Sequence, residues 1–316
     1  MTKLYIAVPC YNEQEVLPDS SQKLLDKMML MIAQGKITSD SRIVFIDDGS
    51  KDKTWSIIKA LHEQNEMFQG IKLSRNRGHQ NALLCGLMTL RDKCDAIISI
   101  DADLQDDINV FDEMVEKYES GCDVVYGVRS KRETDTFFKR FTAEAYYKIL
   151  DKLGAKIIFN HADFRLMSAR ALEAFSQFKE VNLFLRGIVP MIGYKSDIVT
   201  YERSERLLGE SKYPLKKMLA LAFEGITSLS TKPIKLISRT GIIIFLISIV
   251  MLVYFLIRYF IGATEVGWAS LAVSIWAIGG LQLLAIGVVG EYIGKIYLET
   301  KERPRYIVEE YLDDNK

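Results

Sequence analysis

The chain has 316 residues, 49% of them hydrophobic and 26% charged, which excludes a globally disordered chain and allows one large domain or two ordinary ones. Lysine plus arginine equals aspartate plus glutamate, 41 each, so the basic excess of a general nucleic-acid binder is absent and no nucleic-acid partner is expected. Four cysteines without a C-x-x-C pair, and three histidines, argue against a zinc site and fit reduced, buried thiols in a cytosolic domain.

In chain order, Met1 to Pro9 lacks a basic stretch followed by a long apolar core, so no signal peptide is expected and the first half should stay in the cytoplasm. Leu4 to Val8 reads as a strand ending at Pro9. Glu15 to Ala33 has helical spacing, with Val16, Leu17, Leu24, Leu25, Met28 and Ile32 on one side. Arg42 to Ile46 is a second strand, stopped by Asp47-Asp48-Gly49-Ser50, and Lys53 to Glu63 reads as helix. Ile71 to Ser74 is a third strand, followed by Asn76-Arg77-Gly78 and a helix from about Gln80 to Arg91. Ala96 to Ile100 and Asp123 to Val128 complete five strands. Strands separated by helices predict an α/β fold with a mostly parallel, doubly wound sheet. Such sheets bind ligands beyond the carboxyl ends of their strands, where Asn12-Glu13, Asp47-Asp48 and Asp101-Ala102-Asp103 fall.

The last third changes character. Thr240 to Ile257 and Val266 to Gly290 carry no charge, and each approaches or exceeds the ~20 apolar residues that cross a bilayer. They read as two transmembrane helices, a pair of buried core helices being the other reading. Lys232, Lys235 and Arg239 precede the first span; Lys295, Lys301, Arg303 and Arg305 follow the second; the turn between holds only Glu265. The positive-inside rule puts both flanks in the cytoplasm. Arg258, near the outer end of the first span, is expected to snorkel toward the headgroups. Residues 213–238 mix lysines with Leu215, Met218, Leu219 and Phe223, which suits amphipathic helices on an anionic membrane surface or a helix packed on the soluble domain. The expected division is 1–212 catalytic, 213–238 juxtamembrane, 239–294 a transmembrane hairpin and 295–316 a cytoplasmic tail.

The strongest chemical signal is Ile98 to Asp106, in which Asp101-Ala102-Asp103-Leu104-Gln105-Asp106 directly follows a buried strand. Two carboxylates and an amide oxygen suit a hard divalent cation, Mn2+ or Mg2+, bridging the diphosphate of a nucleotide-sugar. The aspartates have a second reading as helix caps or solvated groups. Val8 to Glu13 and Asp47 to Thr54 place further carboxylates after strands, where a base or ribose is commonly held. Asp52 and Thr54 could equally cap the next helix. No G-x-G-x-x-G follows the first strand and no Walker A sequence occurs, which excludes the usual dinucleotide and P-loop sites.

Val8 to Glu13, Asp47 to Thr54 and Asp101 to Gln105 together resemble the GT-A glycosyltransferases of family 2. Gly127-Val128-Arg129, Asn160 to Leu166, Arg206 to Tyr213 and Gly290-Glu291-Tyr292-Ile293-Gly294 are similar to its polyprenyl-phosphate branch, the bactoprenol glucosyltransferases and dolichol-phosphate mannosyltransferase. The resemblance covers nearly the whole chain. It implies that Pro9, Tyr11, Glu13, Ile46 and Asp48 hold the nucleoside, with Asp101, Ala102 and Asp103 completing the nucleotide-sugar site. It implies Asp101, Asp103 and Gln105 as metal ligands, and Arg129, Arg140, Arg206 and Lys212 around donor and acceptor phosphates, where arginine forks match phosphate oxygens. One departure is Glu144, where some members carry a small hydroxyl residue; Thr142 is a nearby substitute.

Asp101, Asp103 and Asp163 are the candidate catalytic residues. An acceptor phosphate is already ionised and needs little deprotonation, so Asp163 would orient sugar hydroxyls or acceptor, or steady Arg165. A purely structural Asp163–Arg165 pair is the alternative. The implied reaction is inverting transfer from a UDP-sugar, glucose first and N-acetylglucosamine next, to undecaprenyl phosphate. The expected setting is the cytoplasmic face of a bacterial inner membrane, with a homo-oligomer as a further possibility. Two rivals stay open. A processive polysaccharide synthase would need more spans and a Q-x-x-R-W motif. A membrane scaffold or sugar-nucleotide sensor would leave the carboxylate cluster without work.

Overall fold

The computed structural model describes residues 1–130, 161–181, 184–202, 232–261 and 267–313. Strand β1, Leu4–Cys10, is buried along its whole length, as the continuous apolar run requires of a central parallel strand. Helix α1 spans Leu17–Ala33 with Pro18 in its first turn, where the missing amide costs nothing. Then follow β2 (Arg42–Asp47), α2 (Thr54–Gln64), β3 (Phe68–Leu73), α3 (His79–Leu90), β4 (Ala96–Ser99), a short 3-10 turn (Ile108–Val110) and α4 (Phe111–Glu119). β5 is Val124–Arg129, β6 His161–Ser168, α5 Ala169–Ser176, α6 Leu185–Met191 and β7 Ser196–Tyr201. Two long helices, α7 (Lys232–Phe260) and α8 (Trp268–Thr300), precede β8 (Val308–Leu312).

Among the described residues one eight-stranded sheet runs β7-β5-β6-β4-β1-β2-β3-β8. The pairs β1–β2, β1–β4, β2–β3 and β5–β7 are parallel, whereas β6 and β8 pair antiparallel with their neighbours. The sheet is therefore mostly parallel. Alternation along β1 sends Leu4, Ile6, Val8 and Cys10 to a core shared with α1, α2 and α4. Tyr5 and Ala7 face the opposite core, with α3, α5 and α6.

Several elements lie beyond what the sequence pattern announced. β3 begins three residues before the expected Ile71, because buried Gln69 is hydrogen-bonded through its side chain to the Tyr311 hydroxyl at 3.2 Å. Residues 308–312, read as part of a tail, form the edge strand β8. That strand is fixed by Glu310 to Trp55 (3.2 Å) and Lys59 (2.8 Å), and by Lys72 to Glu309 (3.0 Å). Residues 232–238 are continuous with α7; residues 213–231 lie outside the described residues.

Both α7 and α8 contain stretches long and apolar enough to cross a membrane, Pro233–Met251 and Ile278–Thr300, with none of either stretch buried. Ile242, Leu246, Val250, Leu283 and Leu284 are exposed, which a soluble core pair would not leave bare.

A packing prediction follows from Gly127 on β5. A Cβ there would lie 2.4 Å from Cδ1 of the fully buried Phe164 ring, which has no room to retreat. Gly127→Ala is expected to cost about 1–3 kcal/mol, read as a lowered thermal midpoint of the detergent-solubilised protein.

Candidate active site

Three parallel strands end side by side, and a polar cluster follows each. The β1–β2 register sets Pro9 beside Ile46, and the Asp48 amide donates to the Cys10 carbonyl at 2.9 Å. Pro9, Tyr11, Glu13, Ile46 and Asp48 therefore share one edge. The loop after β1 is tied to α2. The Asn12 amide donates to Ser50 Oγ and the Glu13 amide to Thr54 Oγ1, both at 2.9 Å. Thr54 donates its amide and hydroxyl to Asp52 Oδ1 at 3.0 and 2.6 Å. Asp52 and Thr54 thus brace the start of α2, close to their capping reading.

Buried Asp48 accepts the Arg77 amide at 2.7 Å and the Gly78 amide at 2.9 Å, which clamps the loop after β3. Burial pushes its carboxyl up, and these two amides pull it back. The loop can approach because Gly49 has φ 66°; a Cβ there would lie 2.6 Å from the Arg75 carbonyl carbon.

Beyond β4, the Ile100 amide still donates to the Ala7 carbonyl at 3.1 Å. Leu104, at φ 44°, donates its amide to the Asp101 carbonyl at 3.1 Å and closes a tight turn. Asp101, Ala102, Asp103 and Gln105 are gathered in this turn, with the Gln105 amide 3.4 Å from Asp103 Oδ1. The antiparallel β4–β6 ladder ends with Ser99 paired to Arg165; Asp101 follows two residues past Ser99, and Asp163 lies two residues before Arg165 on β6. Ser99 Oγ locks the junction by donating to the Asp163 carbonyl at 2.5 Å.

Neighbouring carboxylates repel, and two guanidiniums and an imidazole stand against them. Arg165 Nη2 donates to Asp163 Oδ1 at 2.7 Å and Arg186 Nη2 to Oδ2 at 3.2 Å. His79 Nε2 lies 3.5 Å from Asp101 Oδ1 and 3.8 Å from Asp163 Oδ2. Burial alone would raise Asp163, but Arg186, Arg165 and His79 outweigh it and hold the carboxyl well below the usual range. Asp101 goes the other way: desolvation raises it, with Asp163, Asp106 and Asp103 adding to the rise and His79 opposing it.

Among the described residues no three His, Cys, Asp or Glu side chains converge as a ready metal cage. Asp101, Asp103 and Gln105 nonetheless fit a hard cation, since magnesium-type sites use few protein oxygens and take the rest from substrate phosphates. Arg129 Nη2 and Nε reach Asp106 Oδ1 at 3.1 and 3.3 Å, and the Tyr201 hydroxyl donates to the same oxygen at 2.6 Å. Arg129 is thus held by a buried carboxylate at the rim. Arg140, Thr142, Glu144, Arg206 and Lys212 lie outside the described residues.

The glycosyl transferase family 2 profile matches residues 5–175, which contain the whole carboxylate cluster. The chain belongs to glycosyl transferase family 2. Its sheet is that of the GT-A glycosyltransferase fold. An uncharacterised glycosyltransferase of Bacillus subtilis strain 168 is 52% identical over 97% of this chain and 91% of that protein. The bactoprenol glucosyl transferase of Shigella phage SfX is 42% identical over 97% of this chain and 98% of its own. A mannosyltransferase from Pyrobaculum calidifontis, solved with GDP-Man and Mn2+, superposes with a TM-score of 0.46 at 14% identity, over 92% of this chain and 87% of that one.

The family 2 site contains residues that the motifs did not reveal. His79 follows the Asn76-Arg77-Gly78 turn at the carboxyl end of β3, the same position in the sheet that marked the other clusters. Arg186 sits on α6, a seven-residue helix with Pro190 inside, which has no periodic signature. Tyr201, which β7 sets beside Arg129 of β5, meets Asp106, the last residue of the Ile98 to Asp106 signal, through its hydroxyl.

Asp163 is a structural partner as well as a site residue. Arg165 is 1% exposed, so Asp163→Asn leaves a buried cation short of its counter-charge and is expected to cost about 3–5 kcal/mol. Asp163 is depressed in the folded state, so its contribution is complete above about pH 4 and fades as pH falls below that. Thermal melts should show the gap between wild type and variant narrowing on acidification.

Proposed function

We propose that this chain transfers a sugar from a UDP-sugar, glucose before N-acetylglucosamine, to undecaprenyl phosphate at the cytoplasmic face of a bacterial membrane. The observation that carries this reading is that one chain joins the carboxylate edge to two bare apolar helices and then returns to the same sheet as β8. A chain that starts and finishes in one sheet crosses a bilayer an even number of times, which supports a hairpin with both flanks on the catalytic side. The lysines and arginines on those flanks support the cytoplasm as that side. Relatives named bactoprenol glucosyl transferases, matched almost end to end, support the acceptor and the sugar.

Asp101, Asp103 and Gln105 would hold Mn2+ or Mg2+, which when bound neutralises charge on the departing nucleoside diphosphate. Pro9, Tyr11, Glu13, Ile46 and Asp48 would frame the nucleoside. Arg129, Arg140, Arg206 and Lys212 would gather the phosphates. The acceptor phosphate attacks the anomeric carbon opposite the diphosphate, inverting configuration. Asp163, kept ionised by two arginines, orients the reacting groups instead of removing a proton. The membrane helices hold this site near a phosphate fixed at headgroup level, which raises effective concentration.

The test is transfer from radiolabelled nucleotide-sugars to undecaprenyl phosphate by purified protein with manganese or magnesium. Labelled lipid from UDP-glucose that disappears with EDTA is the expected result, with Asp103→Ala lowering turnover by about 10²-fold or more. Folded protein that labels no lipid from any donor overturns the proposal.

A further inference from the structure

His79 belongs to none of the assigned nucleoside, metal or phosphate groups, yet its Nε2 lies within 4 Å of two carboxylates of the site. Its position follows from a chain of local constraints. Gly49 admits the backbone of Arg75, Asp48 holds the Arg77 and Gly78 amides, and Gly78 turns with φ 86°, so α3 begins with its first side chain over the cleft. The next residue ties that turn to the other side: Gln80 Oε1 accepts the Leu185 amide at 2.9 Å, and Leu185 precedes Arg186, the second cation on Asp163.

The geometry points to His79 as a positioning residue that holds Asp101 and Asp163 in their working arrangement across the β4–β6 junction. Three observations carry this. Nε2 reaches both carboxylates, at 3.5 and 3.8 Å, from an element that belongs to neither strand. Arg165 and Arg186 both reach Asp163, whereas Nε2 of His79 lies within 4 Å of Asp101 as well. The ring is 43% exposed, so it packs little apolar surface whose loss would unfold the domain. Without His79, Asp101 is free to turn away from Asp103 and Gln105, and Asp163 is drawn wholly toward the arginines.

The inference rests on the transferase reading, and the wild-type control separates the two: wild-type protein that labels no lipid fails the reading, whereas an active wild type leaves His79 to be judged alone. His79→Ala and His79→Gln are compared in steady-state transfer from UDP-glucose. Glutamine carries an amide nitrogen close to the place of Nε2. Groups that orient a metal's ligands typically cost about 10- to 100-fold when removed. His79→Ala is therefore expected to lose about that factor in kcat, with KM for UDP-glucose and the thermal midpoint nearly unchanged, and His79→Gln to recover most of it. A second readout is Mn2+ bound in the presence of UDP, followed by electron paramagnetic resonance, whose half-saturation should rise in the alanine variant and return in the glutamine variant. Unchanged kcat in His79→Ala overturns the inference. So does a rise confined to KM, which would make His79 a donor contact, or a midpoint that falls equally in both variants.

Discussion

Asp101, just past β4, and Asp163, on β6, bring two carboxylates within 4 Å of one imidazole, and the rest of the site is arranged around their repulsion. Ser99, the last residue of β4, pairs with Arg165, and its hydroxyl donates to the Asp163 carbonyl, which fixes where Asp163 lies beside the turn that carries Asp101. Arg165 alone does not relieve the repulsion, since a fully buried guanidinium is itself costly without an anion. The pair Asp163–Arg165 is therefore mutual: the cation needs the carboxylate to be buried, and the carboxylate needs the cation to stay ionised. Arg186 and His79 extend the compensation outward to where a substrate would bind. The result separates two like groups: Arg186 and Arg165 outweigh burial and hold Asp163 low, while burial and neighbouring carboxylates push Asp101 up.

The second constraint is the return of the chain. β8 pairs with β3 at the far edge of the sheet, and its glutamates meet Trp55, Lys59 and Lys72. The end of α8 is docked as well: Glu299 accepts the Val181 amide at 2.8 and 2.9 Å, and Arg305 Nη2 donates to the Phe178 carbonyl at 2.9 Å. α8 runs unbroken from Trp268 to Thr300, so one rigid rod joins its apolar stretch to the docked end. In the proposed setting this rod sets the height of the site above the bilayer. A flexible linker would leave that height free, and the gain in effective concentration would be smaller.

The parallel half of the fold was legible because β1, β2 and β4 are unbroken apolar runs closed by Asp or Pro, a pattern that only a strand buried on both faces needs. The carboxylate edge was legible for the same reason, since the sheet itself says where ligands go. β6 was not, because Asp163 and Arg165 put two charges two residues apart into a buried stretch of strand, and their pairing makes that burial tolerable. β8 was hidden by Val308-Glu309-Glu310-Tyr311-Leu312, a polar edge strand whose partners lie more than two hundred residues earlier. His79 and Arg186 act through contacts between elements distant in sequence, which no local pattern reports.

The central claim is that the edge formed by β1, β2 and β4 receives a nucleotide-sugar whose diphosphate is bridged to Asp101, Asp103 and Gln105. The most direct measurement is a structure of the full chain with UDP-glucose and Mn2+, with the cation located by its anomalous signal. The account predicts the cation between the diphosphate and those three residues, the uridine against Pro9, Tyr11 and Asp48, and His79 still within reach of both carboxylates. A nucleotide held elsewhere, or a diphosphate bound at this edge without any cation on Asp101 or Asp103, would contradict it.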